Sequence, residues 1–226
     1  MVAAAQRAEA AGIDLVVAYD HYPKPARPEA LHGLTMLGAI AVATERVQIG
    51  TLVARIGVVP DQVLISQIRT AARLAGPGRF IAGLGVGDHL SDDEDEALGI
   101  TRPSLDERFA RLEVVATTLR SHGIDVWIGS RSRRGAALSA AVGAGRNLWD
   151  PTDQQLAEAV LEADGRPITW GAQVEVTTDD GVAALAEKLA ALADMKVAYA
   201  IAAPTKAGAP DAAEQVMRSK KLAGLP

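Results

Sequence analysis

Apolar and polar residues alternate along this chain in short blocks whose spacing switches repeatedly between strand-like and helix-like periods. Short apolar runs bounded by glycine, proline or charge predict buried strands. They predict seven strands, at residues 13–19, 47–53, 79–85, 125–128, 146–148, 168–176 and 197–203. Segments of helical period predict eight helices, at residues 2–11, 28–44, 61–74, 104–120, 135–142, 152–163, 182–195 and 211–223.

The regular alternation of helix and strand predicts a parallel sheet with crossover helices. The fold class is therefore α/β, and a TIM-type (β/α)8 barrel in a single domain, residues 1–226, is the architecture we expect. A closed barrel of this type has eight strands. Because the predicted order begins on a helix and reaches seven strands, we expect an incomplete barrel whose first strand is absent.

Composition narrows the possible chemistry. The chain has no cysteine, which excludes disulfides, thiolate catalysis and cysteine-type metal sites. Its four histidines, His21, His32, His89 and His122, lack metal-ligand spacing, so we expect no metal. A net charge of -5 argues against nucleic-acid binding. No apolar run could span a bilayer and the amino terminus does not resemble a signal peptide, so we expect a cytoplasmic protein with a small-molecule partner.

In parallel α/β folds, ligands bind at the carboxyl ends of the strands. One strand end carries Gly129, Ser130, Arg131 and Ser132, followed by two more arginines and a helix. Free backbone N–H groups, hydroxyls and arginines together suit a phosphate. An ordinary solvated turn with a basic face is the alternative interpretation.

Two other strand ends carry candidate chemistry. His21 follows Asp20, where an imidazole could contact a polar ring edge or move a proton, or could simply cap the strand. The glycines of 83–87 do not predict a Rossmann site, because an acidic segment rather than a helix start follows them. Gly85 and Gly87 instead leave room for a flat ring across the barrel mouth.

Two sets of side chains are interpreted as structural. The acidic run 92–96 lacks the spacing of a calcium loop, and we expect it to be a solvated, mobile loop. The three tryptophans lie in or beside predicted strands and are expected in the core, with Trp149 the one that could instead face a ligand. Their positions are Trp127, Trp149 and Trp170.

The ordered set of segments resembles the bacterial luciferase-like family of flavin- and deazaflavin-dependent oxidoreductases, which are (β/α)8 barrels. The similar segments are residues 8–14 running into Asp20-His21, 43–53, 78–87, 127–129 and 147–149. They cover about the first two thirds of the chain. The last third is similar only in its order of strands and helices.

The resemblance implies a role for each matching residue. His21, with Asp20, would face the cofactor ring. Thr51, Leu52 and Val53 would lie beside the ring, with a non-proline cis peptide bond at Leu52-Val53. Asp88 falls near a position that carries an acid in some deazaflavin-dependent members, and with His21 it is a candidate catalytic residue. The cofactor phosphate would bind the predicted phosphate loop, which consists of Gly129, Ser130, Arg131 and Ser132.

Two further departures from the family pattern accompany the absent first strand. The segment before the fifth barrel strand, between Arg120 and Asp125, is short, and Arg133 replaces a proline commonly found in the phosphate loop. The short segment normally helps to wall the substrate pocket. Cofactor binding could therefore survive while substrate choice or catalysis changes.

These features predict an oxidoreductase that transfers a hydride between a bound cofactor and a small organic substrate. The coenzyme F420 is favoured over FMN, because Asp20-His21 matches and the loop arginines suit an acidic tail. A non-catalytic flavin-binding or subunit-like barrel is the alternative, since an unpaired barrel edge needs a cover such as a homodimer contact. A hydrolase or isomerase is the least favoured, because no metal set or paired carboxylates are evident.

Overall fold

The computed structural model describes residues 1–23, 30–205 and 211–226. Seven strands lie within these residues: β1 (Leu15–Ala18), β2 (Gln48–Arg55), β3 (Phe80–Gly85), β4 (Asp125–Gly129), β5 (Gly145–Trp149), β6 (Ile168–Val174) and β7 (Tyr199–Pro204). The α-helices within them are α1 (Val2–Ala11), α2 (Gly33–Ala43), α3 (Asp61–Ala75), α4 (Asp92–Ala97), α5 (Leu105–Ser121), α6 (Arg133–Ala141), α7 (Asp153–Leu161), α8 (Asp179–Asp194) and α9 (Ala212–Leu222).

Local sequence explains why several helices begin where they do. The Ser104 hydroxyl accepts a hydrogen bond from the Glu107 backbone N–H, and the Glu107 carboxylate accepts one from the Ser104 N–H, so α5 starts with a complete capping box. Thr152 and Gln155 form the same arrangement at the start of α7. Each pair satisfies N–H groups that a helix start otherwise leaves without partners.

The chain folds into two compact units. The first unit spans residues 15–129, and its strands β1 to β4 are parallel and pair in chain order. Helix α2 packs on α3 and on β2, and α5 packs on β3 and β4. The core between sheet and helices consists of large aliphatic side chains with almost no solvent exposure: Leu37, Ile40, Ile49, Ile68, Leu84, Leu112, Leu119 and Ile128.

The second unit contains residues 3–14 and 130–226. Its strands β5, β6 and β7 are also parallel and pair in chain order. A separate apolar core fills the space between these strands and α7 and α8, and its fully buried members include Leu148, Leu156 and Val182. The Lys220 ammonium forms an ion pair of 3.2 Å with Asp14, which follows α1.

The predicted α/β class is confirmed, with parallel βα units of the TIM-barrel type and seven strands in the described residues. Trp127 and Trp170 are buried as predicted, while Trp149 is half-buried and its ring would meet a Cβ added at Gly171. The helix predicted from Pro28 begins at Gly33, and Pro28 itself lies outside the described residues.

One prediction is wrong. The acidic run 92–96 is not a solvated loop, because it forms α4, after a 3-10 turn at His89–Ser91, and it buries Glu94 and Asp95. The reason is a buried cation that the sequence interpretation did not consider.

Candidate functional site

That cation is Arg55, the last residue of β2. Its Nη2 lies 3.0 Å from Glu94 Oε2 and its Nη1 lies 3.3 Å from Asp95 Oδ1. The Arg55 side chain is 7% exposed and that of Glu94 is 1% exposed. Burying any of these charges alone would be costly. Pairing with Arg55 offsets the cost of burying the two carboxylates, and α4 forms with both of them on its inner side.

A second arginine extends this buried network. Arg102 Nε donates to Asp95 Oδ2 at 2.7 Å, and its Nη1 donates to the Asp88 carbonyl oxygen at 2.8 Å. Arg102 Nη1 also lies 2.8 Å from the exposed carboxylate of Asp92. The loop after β3 is therefore tied through Arg102 to the same acidic helix that holds Arg55.

His21 is anchored by the network at one ring nitrogen. Its Nδ1 lies 2.9 Å from Glu94 Oε1, while the side chain remains 42% exposed. Because a carboxylate accepts hydrogen bonds, this contact favours the tautomer with the proton on Nδ1. Within the described part of the chain, Nε2 is left available to a ligand, as a ring-facing histidine requires.

Asp20 holds the end of the neighbouring strand, β2. Its Oδ2 accepts a hydrogen bond of 2.8 Å from the Arg55 backbone N–H, which joins the ends of β1 and β2. Burial raises the pKa of Asp20, against the opposing effects of that hydrogen bond, the charges of Arg55 and His32, and the hydrogen bond with Tyr22. The pKa of Tyr22 is also raised, mainly by burial and then by the charge of Asp20.

The raised pKa of Asp20 gives a prediction for stability. A carboxyl whose folded pKa exceeds its unfolded value contributes stability below the unfolded pKa and loses that contribution as pH rises through the folded pKa. Asp20→Asn keeps an oxygen that can accept from Arg55 N–H but does not titrate. We expect the variant to gain stability relative to the unmodified protein as pH rises from about 4 to 7, measured by urea denaturation. A difference that does not change with pH would contradict this role of Asp20.

The ends of β2, β3 and β4 meet around Val53. The peptide bond between Leu52 and Val53 is cis, as the family resemblance implied. A Cβ added at Gly85 would lie 2.6 Å from Val53 Cγ2, and one added at Gly129 would lie 2.5 Å from Val53 Cγ1. Only glycine fits at both positions. We call Gly85, Gly129 and the half-buried Val53 between them the glycine cradle.

The remaining predicted residues of the first unit support these strand ends. Thr51 is buried, and its hydroxyl donates to the Gly83 carbonyl oxygen at 2.7 Å, so it contributes to strand pairing rather than to an open surface. Gly87 has a φ of 71°, and its carbonyl oxygen accepts from Arg108 Nη1 at 3.2 Å. Arg108 Nη1 also donates to the Val86 carbonyl oxygen. Asp88 follows at the solvent-facing side of this loop.

The predicted phosphate loop lies in the second unit. Helix α6 begins at Arg133 rather than at Gly135, with Ser132 as its N-cap, so the helix start is closer to the loop than predicted. The Ser132 backbone N–H donates to Ser130 Oγ at 3.1 Å, and the two hydroxyls lie 2.9 Å apart. Arg131 is exposed and donates from Nη1 to the Asp150 carbonyl oxygen at 3.2 Å. The loop thus has the helix start, hydroxyls and cation that an anion site needs.

The structure thus brings together a set that sequence reasoning found only in part. Asp20 and His21 were predicted, but Arg55, whose backbone N–H holds Asp20, and Glu94, which holds His21, were not. The two signals available were an arginine that follows the apolar residues 52–54 and an acidic run elsewhere in the chain. Neither alone indicates the partner.

The first half of the chain is similar in sequence to known proteins. Residues 1–121 match the family model described as luciferase-like monooxygenase. The chain is 35% identical over 117 residues to the F420-dependent glucose-6-phosphate dehydrogenase of Intrasporangium calvum, covering 50% of this chain and 35% of that protein. It is 35% identical over 130 residues to the Kribbella flavida protein of the same name, covering 56% and 37%. The chain therefore spans little more than a third of the length of these relatives.

Solved structures match over nearly the whole chain. The monooxygenase RslO1 from Streptomyces bottropensis superposes with a TM-score of 0.72 at 17% identity, covering 97% of this chain and 90% of that chain. The coenzyme F420 dependent tetrahydromethanopterin reductase from Methanopyrus kandleri gives 0.62 at 16% identity, covering 99% and 86%. At such identities the likeness concerns the fold.

In the described residues, no helix has the length and apolar character needed to cross a membrane. Because the family model covers more than half of its residues, the chain belongs to the luciferase-like monooxygenase family.

Proposed function

We propose that this protein is an oxidoreductase that binds a deazaflavin or flavin and transfers a hydride to or from a small organic substrate. The glycine cradle is the observation that carries the proposal. Gly85 and Gly129 lack the side chains that would displace Val53. The ends of the three strands therefore form an apolar surface from which no glycine side chain projects. Such a surface fits a flat ring, and the residues present are therefore compatible with the cofactor.

When bound, the cofactor supplies the hydride chemistry, and the protein supplies orientation and proton handling. His21 is the residue we assign to proton transfer, because Glu94 holds its Nδ1 at 2.9 Å and leaves Nε2 for the ligand. Arg55 acts as a positioning residue, since it fixes Glu94. Asp88 is a second candidate for an acid, at the end of the loop that Arg102 holds.

Ser130, Arg131 and Ser132, with Gly129 preceding them, are proposed to hold the cofactor phosphate. A Cβ at Gly135 would lie 2.2 Å from Ser130 Oγ, so glycine in the first turn of α6 lets the loop fold against the helix start. An exposed Arg131 can reach an anion placed there. Relatives named as F420-dependent favour F420, while FMN would use the same loop.

The proposal is tested by following the visible absorbance of F420 in the presence of the protein and a panel of alcohols and sugar phosphates. Hydride transfer to the deazaflavin bleaches its oxidised band, and the reverse reaction restores it. We expect protein-dependent bleaching with at least one member of the panel. Cofactor binding without bleaching by any member would favour the second candidate function.

That second candidate is a barrel that binds a flavin without catalysis. A specific observation favours it: only three residues, 122–124, connect α5 to β4. This is the segment that the family resemblance places in the wall of the substrate pocket. Loss of that wall would leave the cradle and the phosphate loop in place and remove the enclosure that hydride transfer requires.

Arg131→Ala tests the phosphate assignment. We expect about tenfold or greater loss of affinity for FMN, because a charge-assisted hydrogen bond to the phosphate is lost, and no change in affinity for riboflavin, which has no phosphate. Isothermal titration calorimetry measures both. An equal loss for the two ligands would place the phosphate elsewhere.

Three further expectations remain part of the proposal: a homodimer, a cytoplasmic location, and a single domain over residues 1–226. Large apolar side chains on the surface, among them Val42, Val114 and Leu161, are available for a subunit contact. Light scattering on the purified protein measures the oligomeric state.

A further inference from the structure

The second unit contains a basic cleft at the amino ends of β5 and β6, on the side of the helices. Helices α6 and α7 line it together with the first residues of β5 and β6, and its volume is about 470 Å³. Small-molecule sites commonly occupy roughly 300–1,000 Å³. We define the basic cleft by its charged residues, Arg133, Arg146, Arg166 and Glu162.

The cleft has more positive than negative groups. Among the described residues that line it, three arginines face one carboxylate, Glu162, which is 68% exposed and lies 3.9 Å from Arg146 Nη1. At that separation the ion pair is loose. An anion with two negative charges would match the surplus, which favours a phosphate monoester over a carboxylate.

Arg146 is the central feature of the cleft. Its side chain is 9% exposed, and its Nε donates to the Ser130 carbonyl oxygen at 2.9 Å. This hydrogen bond fixes the guanidinium, so its terminal nitrogens are oriented before any ligand binds. Burial lowers the pKa of Arg146, which means that the buried cation is incompletely compensated and would gain from a neighbouring anion.

The rest of the lining is small and, apart from Ser139, apolar. Alanines from both helices, including Ala136, Ala140 and Ala159, lie between the arginines, and Ile168 closes the inner side. Their short side chains leave the space in which the body of an organic ligand can lie. The cleft therefore combines a cationic end for a phosphate with an apolar surface for the group that carries it.

We propose that the basic cleft binds a small organic phosphate monoester, separately from the cofactor site. Arg133 from the start of α6 and Arg166 from the turn after α7 would contact the phosphate, together with Arg146. Because Arg146 also bonds Ser130, occupation of the cleft would stabilise the backbone of the predicted phosphate loop.

Phenyl phosphate is the probe, titrated calorimetrically into the whole protein with saturating FMN present so that the cofactor site is blocked. We expect saturable binding of phenyl phosphate, weaker binding of inorganic phosphate and none of phenol. Arg133→Ala and Arg166→Ala should each weaken phenyl phosphate about tenfold. The matched control is Arg134→Ala, one residue further along α6 and outside the cleft, which should change nothing.

Two variants distinguish binding of the ligand in the cleft from a general effect of the protein's charge on anion binding. Ala140→Trp adds no charge but fills the space, and binding should be lost, while Glu162→Gln removes the competing carboxylate and binding should tighten. Absence of binding at millimolar phenyl phosphate would overturn the proposal. Equal weakening by Arg134→Ala would also overturn the proposal. So would weakening by Arg131→Ala, because Arg131 lies in the loop proposed to hold the cofactor phosphate.

Discussion

Replacing Arg55 by methionine is expected to lower the free energy of unfolding by about 3–5 kcal/mol. The substitution keeps most of the side-chain volume but removes the cation between Glu94 and Asp95. Glu94 is almost completely buried and, among the described residues, would keep His21 and the Tyr22 backbone N–H as its hydrogen-bond partners. Asp95 would keep Arg102, but the buried charge of Glu94 would lose its arginine partner, and α4 would be held less firmly against the strand ends. Urea denaturation followed by circular dichroism measures the change.

Two comparisons make the Arg55 result specific. Arg218→Met removes a cation that is 51% exposed and paired with the exposed Asp179, and it should cost about 0.5 kcal/mol or less. The double variant Arg55→Met/Glu94→Gln also removes the buried charge that has lost its arginine partner and should recover part of the loss. If Arg55→Met were no more harmful than Arg218→Met, the buried network would not hold this end of the unit together.

The second large effect concerns the glycine cradle. Gly129→Ala places a Cβ 2.5 Å from Val53 Cγ1, and Val53 must shift towards the space assigned to the cofactor ring. We expect affinity for F420 and FMN to fall by about 5-fold to 100-fold, since overpacking of this kind costs about 1–3 kcal/mol. Gly85→Ala, which meets Val53 Cγ2 from the other side, should behave in the same way.

Controls distinguish the cradle from general destabilisation. Gly38→Ala lies in α2, where the nearest atom to the new Cβ is Leu74 Cδ1 at 3.9 Å, and it should leave cofactor affinity unchanged. Val53→Ala in the Gly129→Ala background removes Cγ1, the methyl group that the new Cβ meets, and should restore much of the binding. Continued weak binding in that double variant would mean that the cradle does not shape the ring site.

The succession of elements could be predicted because it depends on local signals. The strand at β3 is a continuous apolar run, and the helix starts at Ser104 and Thr152 carry capping boxes, so their positions agree with the structure to within a residue or two. The predicted strand is too long at both ends of β1 and begins too early at β7, because apolar residues lie beyond the residues that pair.

The buried network could not be predicted in the same way. Arg55 and Glu94 are 39 residues apart, and nothing in either neighbourhood indicates their contact. An acidic run is usually solvated, and here the cost of burying Arg55 reverses that preference for two of its members. His21 was a candidate only through its strand-end position and the family resemblance, and the contact that orients it became evident only with the fold.

The most direct test of the proposed cofactor site is a fluorescence titration of the purified, unmodified protein with F420 and, separately, with FMN. We predict saturable binding of at least one of them at micromolar concentration or tighter, with F420 the tighter ligand and with weaker binding after His21→Ala. Absence of saturable binding by either cofactor at micromolar concentration would contradict the proposed function.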